Sequence, residues 1–444
     1  MTSNENWCII PIIRKGGDVM ELENYRPRIA DAILKDLLAS FGAVSVEGPM
    51  WCGKTWTSTK QAASVCSISD SDDNFAVRRR VALDLAYAFD GVEPRLIDEW
   101  QTFPEIWDAT RSRVDKVRRH GRFILTGSAM PPKKGVHHSG AGRIATLRMR
   151  PMSLWESGRS EGLVSLESVC QDKGIKVIDC RRPSLKEIIE LVVRGGWPAT
   201  IDDSPAMAAR APAAYVKKLI DRDLPELDGI RRDRRKVELV LRSLARNEST
   251  LASIATIGED ASGSGETPID EATVSAYLNA FSRLYVTENI PPFATSLRSG
   301  TRVKMSEKRR FCDPSIAASL LRATPARLER DLNTLGLLFE SLVLRDLLCY
   351  ADAFGATISH YRDYDGREAD AIVEMPDGEW SAIEIKLGSR QEDAAAKSLL
   401  DLKKRIAAKG GQPPRALVVV IGLAGAAYRR RDGVYVIPVT ALRP

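Results

Sequence analysis

The stretch AVSVEGPMWCGKT, Ala43–Thr55, decides the fold of the N-terminal third of the chain. Ala43 to Val46 is a short apolar run of the kind that forms a buried strand, and it leads into Gly48–Thr55, which matches GxxxxGK[ST] at Gly48, Gly53, Lys54 and Thr55. A loop that wraps phosphates does so with backbone N–H groups, so glycines are needed where the chain comes closest. Pro49, Met50, Trp51 and Cys52 fill the loop between the two glycines. Lys54 is placed to neutralise the β and γ phosphates and Thr55 to ligate Mg²⁺, while the N-terminus of the following helix adds partial positive charge. The spacing therefore predicts a nucleotide site for ATP with Mg²⁺.

Working outward, Ile29, Ile33, Leu34, Leu37 and Leu38 follow helical spacing between Pro27 and Phe41. Strands are expected at Ser64–Ile68, Arg95–Ile97, Arg122–Thr126 and Arg143–Leu147, with helical segments between several of them, a pattern that implies a parallel sheet covered by helices. In LIDEW, Asp98 lies 98 − 54 = 44 residues after Lys54, at the end of an apolar run. An Asp there can hold Mg²⁺ through water, and Glu99 can polarise the attacking water. FILTGSA, Phe123–Ala129, carries Thr126 and Ser128 to a third strand tip, where a polar side chain can sense the γ phosphate; ordinary turn chemistry at Gly127 is the plainer alternative. Arg143 is a candidate arginine finger, for this chain or a neighbour's, or else a solvated basic residue. Cys52 precedes Gly53 at a helix N-terminus beside Lys54, two influences that lower a thiol pKa, so either a reactive thiol or an inert filler is expected there. Trp51, Trp56, Trp100 and Trp107 cluster around these motifs as packing residues, with Trp51 placed to meet adenine or a partner.

At roughly 100 to 200 residues per domain, 444 residues predict about three domains. Lys and Arg number 65 against 59 Asp and Glu, a faintly basic balance that permits nucleic acid without requiring it. The apolar stretch Ala416 to Ala427 has 12 residues, whereas a membrane-spanning helix needs about 20, so no membrane segment is expected. The first residues lack the basic start, apolar centre and cleavage site of a signal peptide. Seven scattered cysteines, none in CxxC spacing, and four histidines argue for a reducing cytoplasm and against zinc.

The expected organisation is a multidomain α/β chain. Residues 1–24 form an extension, in which Met20 is an alternative start, and 25–160 the parallel-sheet unit. Residues 161–230 form a mostly helical connector interrupted at RGGWPA. Residues 231–312 contain helices at Arg235–Arg246, Leu251–Ile257 and Glu271–Tyr285, then apolar pieces around Ile290 and Val303, which fits a winged helix-turn-helix. RRDRRK (Arg231–Lys236) and SEKRR (Ser306–Arg310) border it; such runs either neutralise nucleic-acid phosphates or are simply solvated. Residues 313–444 form a second α/β unit, with a helix at Thr334–Tyr350, strands near Ile358, Ala371 and Ala382, a helix at Asp393–Ala408 and a strand at Ala416–Ile421.

That last unit holds a D…ExK pattern. READAIVE supplies Asp370, and IEIK supplies Glu384 and Lys386, which share a strand face because they are two apart. Asp370 and Glu384 can meet around one Mg²⁺ with the Ile385 carbonyl as a further ligand, and Lys386 can orient a water or stabilise phosphorane charge. Glu340, in GLLFESLV, is the usual fourth acidic position in endonucleases of this type. The alternative is an exposed same-face ion pair of Glu384 with Lys386.

YRPRI, GPMWCGKT, LIDEWQTFPEIWDATRSRVD, RFILTGSA, the AGR segment with PMSLWE, and RGGWPA occur in this order. With YVKKLIDRDLPEL, RRFCDPSIAASLL, GLLFESLVLRDLL, READAIVE and IEIKLG after them, they resemble the prokaryotic AAA-type ATPases that carry a conserved C-terminal region of unknown function. The resemblance implies an ATPase core with an extra catalytic Glu, a winged helix and a restriction-endonuclease-like fold. GEDASGSGE lengthens the turn inside that winged helix. Two functions are then in competition. One is ATP hydrolysis coupled to binding, and metal-dependent cleavage, of DNA or RNA. The other is a slow nucleotide-dependent switch that binds a protein partner or a second copy of itself, with an inert C-terminal fold.

Overall fold

In the computed structural model, which describes residues 25–128, 136, 138–230, 232–262, 268–294, 305–363 and 365–444, the chain divides into two compact units at Met149. The expectations for 1–24, Ala129, Arg231, Val303 and the middle of the Gly/Ser-rich turn fall outside those residues.

In the first unit the run after Gly42 becomes β1 (Ala43–Glu47). It is joined by β2 (Ser64–Ser67), β3 (Arg95–Asp98), β4 (Phe123–Gly127) and β5 (Ile144–Arg148) in an all-parallel sheet ordered β2-β3-β4-β1-β5. The three central strands β3, β4 and β1 are almost wholly buried because successive residues supply opposite faces and both faces are covered. Val44, Val46, Leu96 and Ile124 pack on one side with Leu34 and Leu38 of α1 (Ile29–Ser40). Ala43, Ile97, Phe123 and Leu125 pack on the other with Trp107 and Val114 of α4 (Glu105–Lys116), where α3 (Asp72–Leu83) also contributes Val81. Between β1 and β2 runs α2 (Lys54–Gln61), whose N-cap is Gly53 at φ 99°, a conformation that favours glycine. At Gly48 a Cβ would lie 2.1 Å from the Met149 carbonyl oxygen, so the loop is pressed against backbone there.

The second unit is built on a seven-stranded mixed sheet. Its central strands are β9 (Glu368–Glu374), β10 (Trp380–Lys386), β11 (Leu417–Ile421) and β13 (Tyr435–Pro438), flanked by β8 (Thr357–Arg362) and β12 (Ala426–Arg429). The connector is mostly helical, with two short strands besides. It supplies β6 (Val164–Ser165), which pairs with β14 (Leu442–Arg443), and β7 (Ile178–Asp179), which extends the large sheet beside β12. Its helix α5 (Leu185–Arg194) ends at Gly195. The middle segment forms α6 (Arg234–Arg246), α7 (Ile254–Ser262) and α8 (Glu271–Arg283), followed by antiparallel bridges Thr287↔Phe311 and Ile290↔Lys308.

A buried ionic knot ties this unit together. Arg345, on α9 (Leu332–Ala353), donates to Asp313 at 2.9 Å and to Asp346 at 2.8 and 3.0 Å. Asp313 also accepts from Gly196 N–H at 2.9 Å, and Asp346 from Leu154 N–H at 3.1 Å. Burial works against the Arg345 charge, and Asp346 and Asp313 outweigh it, raising its pKa. Removing one partner of such a pair leaves charge buried alone, so Arg345→Met should cost about 3–5 kcal/mol, read as a lowered urea midpoint.

Glu248 carries a second, pH-dependent tie. It accepts from Phe311 N–H at 3.1 Å and from the Ser341 hydroxyl at 2.5 Å, and burial pushes its pKa from 4.5 up to about 8. The folded chain thus keeps a proton that the unfolded chain releases, and the associated stability is present below pH 4.5 and lost as pH rises through about 8. Wild type should lose on the order of 3–5 kcal/mol between those limits relative to Glu248→Gln, measured by urea unfolding at several pH values.

Candidate functional site

Parallel pairing brings the C-terminal ends of β1, β3 and β4 to one edge. Asp98 stands opposite Thr126, which stands opposite Val46, and Gly127 stands opposite Glu47. Asp98 Oδ1 accepts from the Thr55 hydroxyl at 3.0 Å and from the Thr126 hydroxyl. A hydroxyl at the loop and a carboxylate behind it are therefore already joined, which is the donor set that suits Mg²⁺ at Thr55 with Asp98 in support. Lys54 is buried and donates to the carbonyls of Gly48 at 3.0 Å and Pro49 at 2.8 Å, so its ammonium lies inside the loop it is expected to serve. Ser128 follows Gly127 at the same edge and is half-buried.

Glu99 continues β3 at φ 58° and ψ 43°, a strained backbone for a non-glycine residue, and its carboxylate accepts from the Gln101 amide. Gln101 is a contributor that sequence reading missed, because nothing in WQT marks it out. Two others sit in YRPRI. Arg28 is buried and donates to the Cys52 carbonyl at 2.7 Å, and the Tyr25 hydroxyl bridges Asp31 at 2.6 Å and Thr57 at 2.9 Å. Together they brace the loop and α2 from α1.

The structure chooses between the alternatives at Arg143, Cys52 and the tryptophans. Arg143 precedes β5, and its carbonyl accepts from Ala43 N–H at 3.1 Å. Because β1 and β5 are parallel, this is the edge opposite the loop, about 16 Å away over five residues of strand. Arg143 instead pairs with Asp115 at 2.7 Å, and it does not serve its own chain's loop. The arginine at the loop edge is Arg148, opposite Glu47. Cys52 is fully buried with its thiol 3.9 Å from the Met149 carbonyl, which is the inert arrangement. Of the tryptophans, Trp100 and Trp107 stack in the core at 5.1 Å, whereas Trp51 and Trp56 are about two-fifths exposed, at 42% and 41%.

In the second unit, Ile383 lies opposite Ala371, a register that puts Asp370 across from Glu384 as expected. Asp370 Oδ2 accepts from Ile385 N–H at 2.8 Å and from Lys386 at 3.2 Å, and Lys386 also meets Glu384 at 2.6 Å. Glu340 is there too, but it is paired with Lys308 at 2.6 Å, and Lys308 also reaches the Asp370 carbonyl at 3.2 Å and Oδ1 at 3.8 Å. Burial pushes the Glu384 carboxyl up, and the Asp370 charge adds to the effect. Two lysines hold the Asp370 carboxyl below its usual range against burial. His360 is driven down to about 4 by burial and then by Lys308.

This arrangement does not fit a divalent ion. An ammonium about 4 Å from a double charge repels it by about 8 kcal/mol at an effective dielectric of ~20. Among the described residues, no three His, Cys, Asp or Glu side chains gather as a metal-holding group. The basic clusters are spent internally only in part: Arg234, Arg235 and Lys236 are exposed, and other members are paired within the unit. Lys308 and Arg310 are buried, Arg310 on Glu288 at 3.3 Å, and Arg232 forms a pair with Asp228 at 2.6 Å. No helix among the described residues is long and apolar enough to cross a membrane.

Residues 40–157 match the family described as AAA domain, and 185–327 and 335–442 match two domains of unknown function, DUF8612 and DUF4143. The chain thus carries an AAA-type domain in its N-terminal part. The uncharacterized protein Rv2008c of Mycobacterium tuberculosis is 25% identical over 367 residues, 81% of this chain and 73% of its own length. Mb2031c of Mycobacterium bovis, also uncharacterized, gives the same values. A solved structure, the Walker-type ATPase PABY2304 of Pyrococcus abyssi, is 14% identical with a TM-score of 0.41, over 71% of this chain and 99% of that one.

The burial of Cys52 has a direct consequence for labelling. Maleimide should leave Cys52 unmodified in the native chain and modify it once the chain is unfolded in urea, as read by peptide mass spectrometry.

Proposed function

We propose that the first unit binds and hydrolyses ATP. The observation that carries this reading is the convergence of Thr55, Asp98 and Thr126 at the mouth of the glycine loop, with Lys54 inside it. Lys54 exchanges the Gly48 and Pro49 carbonyls for phosphate oxygens, and the backbone N–H groups of Gly48–Thr55 surround them. Mg²⁺ at Thr55 would supply neutralising charge across the phosphates. Asp98 orients the Thr55 hydroxyl, Thr126 fixes Asp98 from the neighbouring strand, and Glu99, held by Gln101, accepts the proton of the attacking water. Ser128 lies where it can meet the terminal phosphate.

For the second unit, three helices followed by antiparallel bridges support a winged helix, and the sheet with Asp370, Glu384 and Lys386 in register supports a nuclease-like fold. The internal pairing of Lys308, Arg310 and Arg232 favours the switch that binds a protein partner over one that reads and cleaves nucleic acid.

Lys54→Ala should abolish binding of a fluorescent ATP analogue. Glu99→Gln should keep binding and lower turnover by about 10²- to 10³-fold, measured by phosphate release. Turnover indifferent to both changes would remove the ATPase reading. Addition of DNA or RNA should leave turnover unchanged, and a salt-sensitive stimulation would restore the nucleic-acid function.

A further inference from the structure

We propose that Lys308 is the resident cation of the Glu340–Asp370–Glu384 cluster, occupying the place of a divalent ion and fastening its own segment to the C-terminal sheet. Three observations carry this, and none depends on the ATPase reading. Lys308 Nζ spends its donors on Glu340 Oε1 at 2.6 Å and the Asp370 carbonyl at 3.2 Å, with Asp370 Oδ1 at 3.8 Å. It lies between the helix that carries Glu340 and the strand that carries Asp370, with its side chain only 5% exposed. Its backbone is held as well. Lys308 N–H donates to the Ile290 carbonyl and Ile290 N–H to the Lys308 carbonyl, both at 2.9 Å.

The neighbours on either side are held too. The Ser306 carbonyl contacts His360 Nε2 at 3.1 Å, and Phe311 N–H is bound by Glu248. These bonds fix the main chain from which the Lys308 side chain reaches the cluster. The remaining oxygen of Asp370 is engaged by Ile385 N–H and Lys386, and Lys386 also meets Glu384 at 2.6 Å, so each carboxylate of the cluster is paired with an ammonium. Two ammoniums thus offset all but one of the three carboxylate charges in place, and an enzyme-like arrangement of acids serves as an anchor for residues 305–313.

The test is Mn²⁺ binding to the nucleotide-free, full-length chain, counted by electron paramagnetic resonance. Wild type should show no site that Glu384→Gln removes. Lys308→Met, which keeps the length of the side chain and deletes its charge, should gain one site at least about tenfold tighter than any in wild type, lost again when Glu384→Gln is added. A wild-type site that Glu384→Gln abolishes would overturn the proposal, and so would a folded Lys308→Met chain that gains none. If circular dichroism shows that Lys308→Met does not fold, the comparison of wild type with Glu384→Gln still decides.

Discussion

The guanidinium of Arg345 is shared by two carboxylates that are themselves buried, and the second unit is organised around that fact. A charge that far from water must be met from all sides, and the groups that meet it come from distant parts of the chain. Asp313 brings the start of the helix at Pro314–Leu320, Gly196 N–H the RGGWPA turn, and Leu154 N–H the PMSLWE segment. Trp197 adds a bond to Ser315 at 2.9 Å. Pairs of this kind contribute little net stability compared with apolar packing, but they leave few alternative arrangements. The blocks that carry the family resemblance in this half of the chain are largely the ones that close the knot.

The same physics recurs at the Asp370 cluster with a different outcome for function. Carboxylates in this pattern suggest metal chemistry, and Lys386 stands where it is expected. Lys308 changes the meaning of the group, because its ammonium satisfies the acids that a divalent ion would otherwise need. At the loop of the first unit no side chain among the described residues plays that part. Lys54 is held by carbonyls, which phosphate oxygens can replace.

Much of the fold is legible in the residues. The strands of the first sheet fall within one or two residues of their expected positions, because apolar runs between turn residues have few other uses. Glu384 and Lys386 share a face by spacing alone, since the period of a strand fixes which side chains do so, whereas Asp370 joins them only through the pairing of two strands. Arg143, Cys52 and Lys308 were not legible, and for one reason. A basic residue or a thiol looks the same in a sequence whether it faces solvent, a phosphate or a buried carboxylate. Gln101 and Arg28 were missed because their partners are a side chain in a tight turn and a backbone carbonyl, neither of which has a sequence signature.

The sequence by itself determined that a strand runs into a glycine loop and a lysine, that a carboxylate pair ends a later strand, and that a second sheet carries an acidic pair with a lysine. These depend on local spacing, which the backbone geometry of strands and helices converts directly into position. Only the tertiary structure decided which edge of the sheet an arginine occupies, which thiol is sealed, and whether the acids of the second unit face a lysine or an open site. Those outcomes depend on strand order and on pairings between residues tens to hundreds of positions apart, where charge and burial are settled by neighbours that local spacing does not reveal.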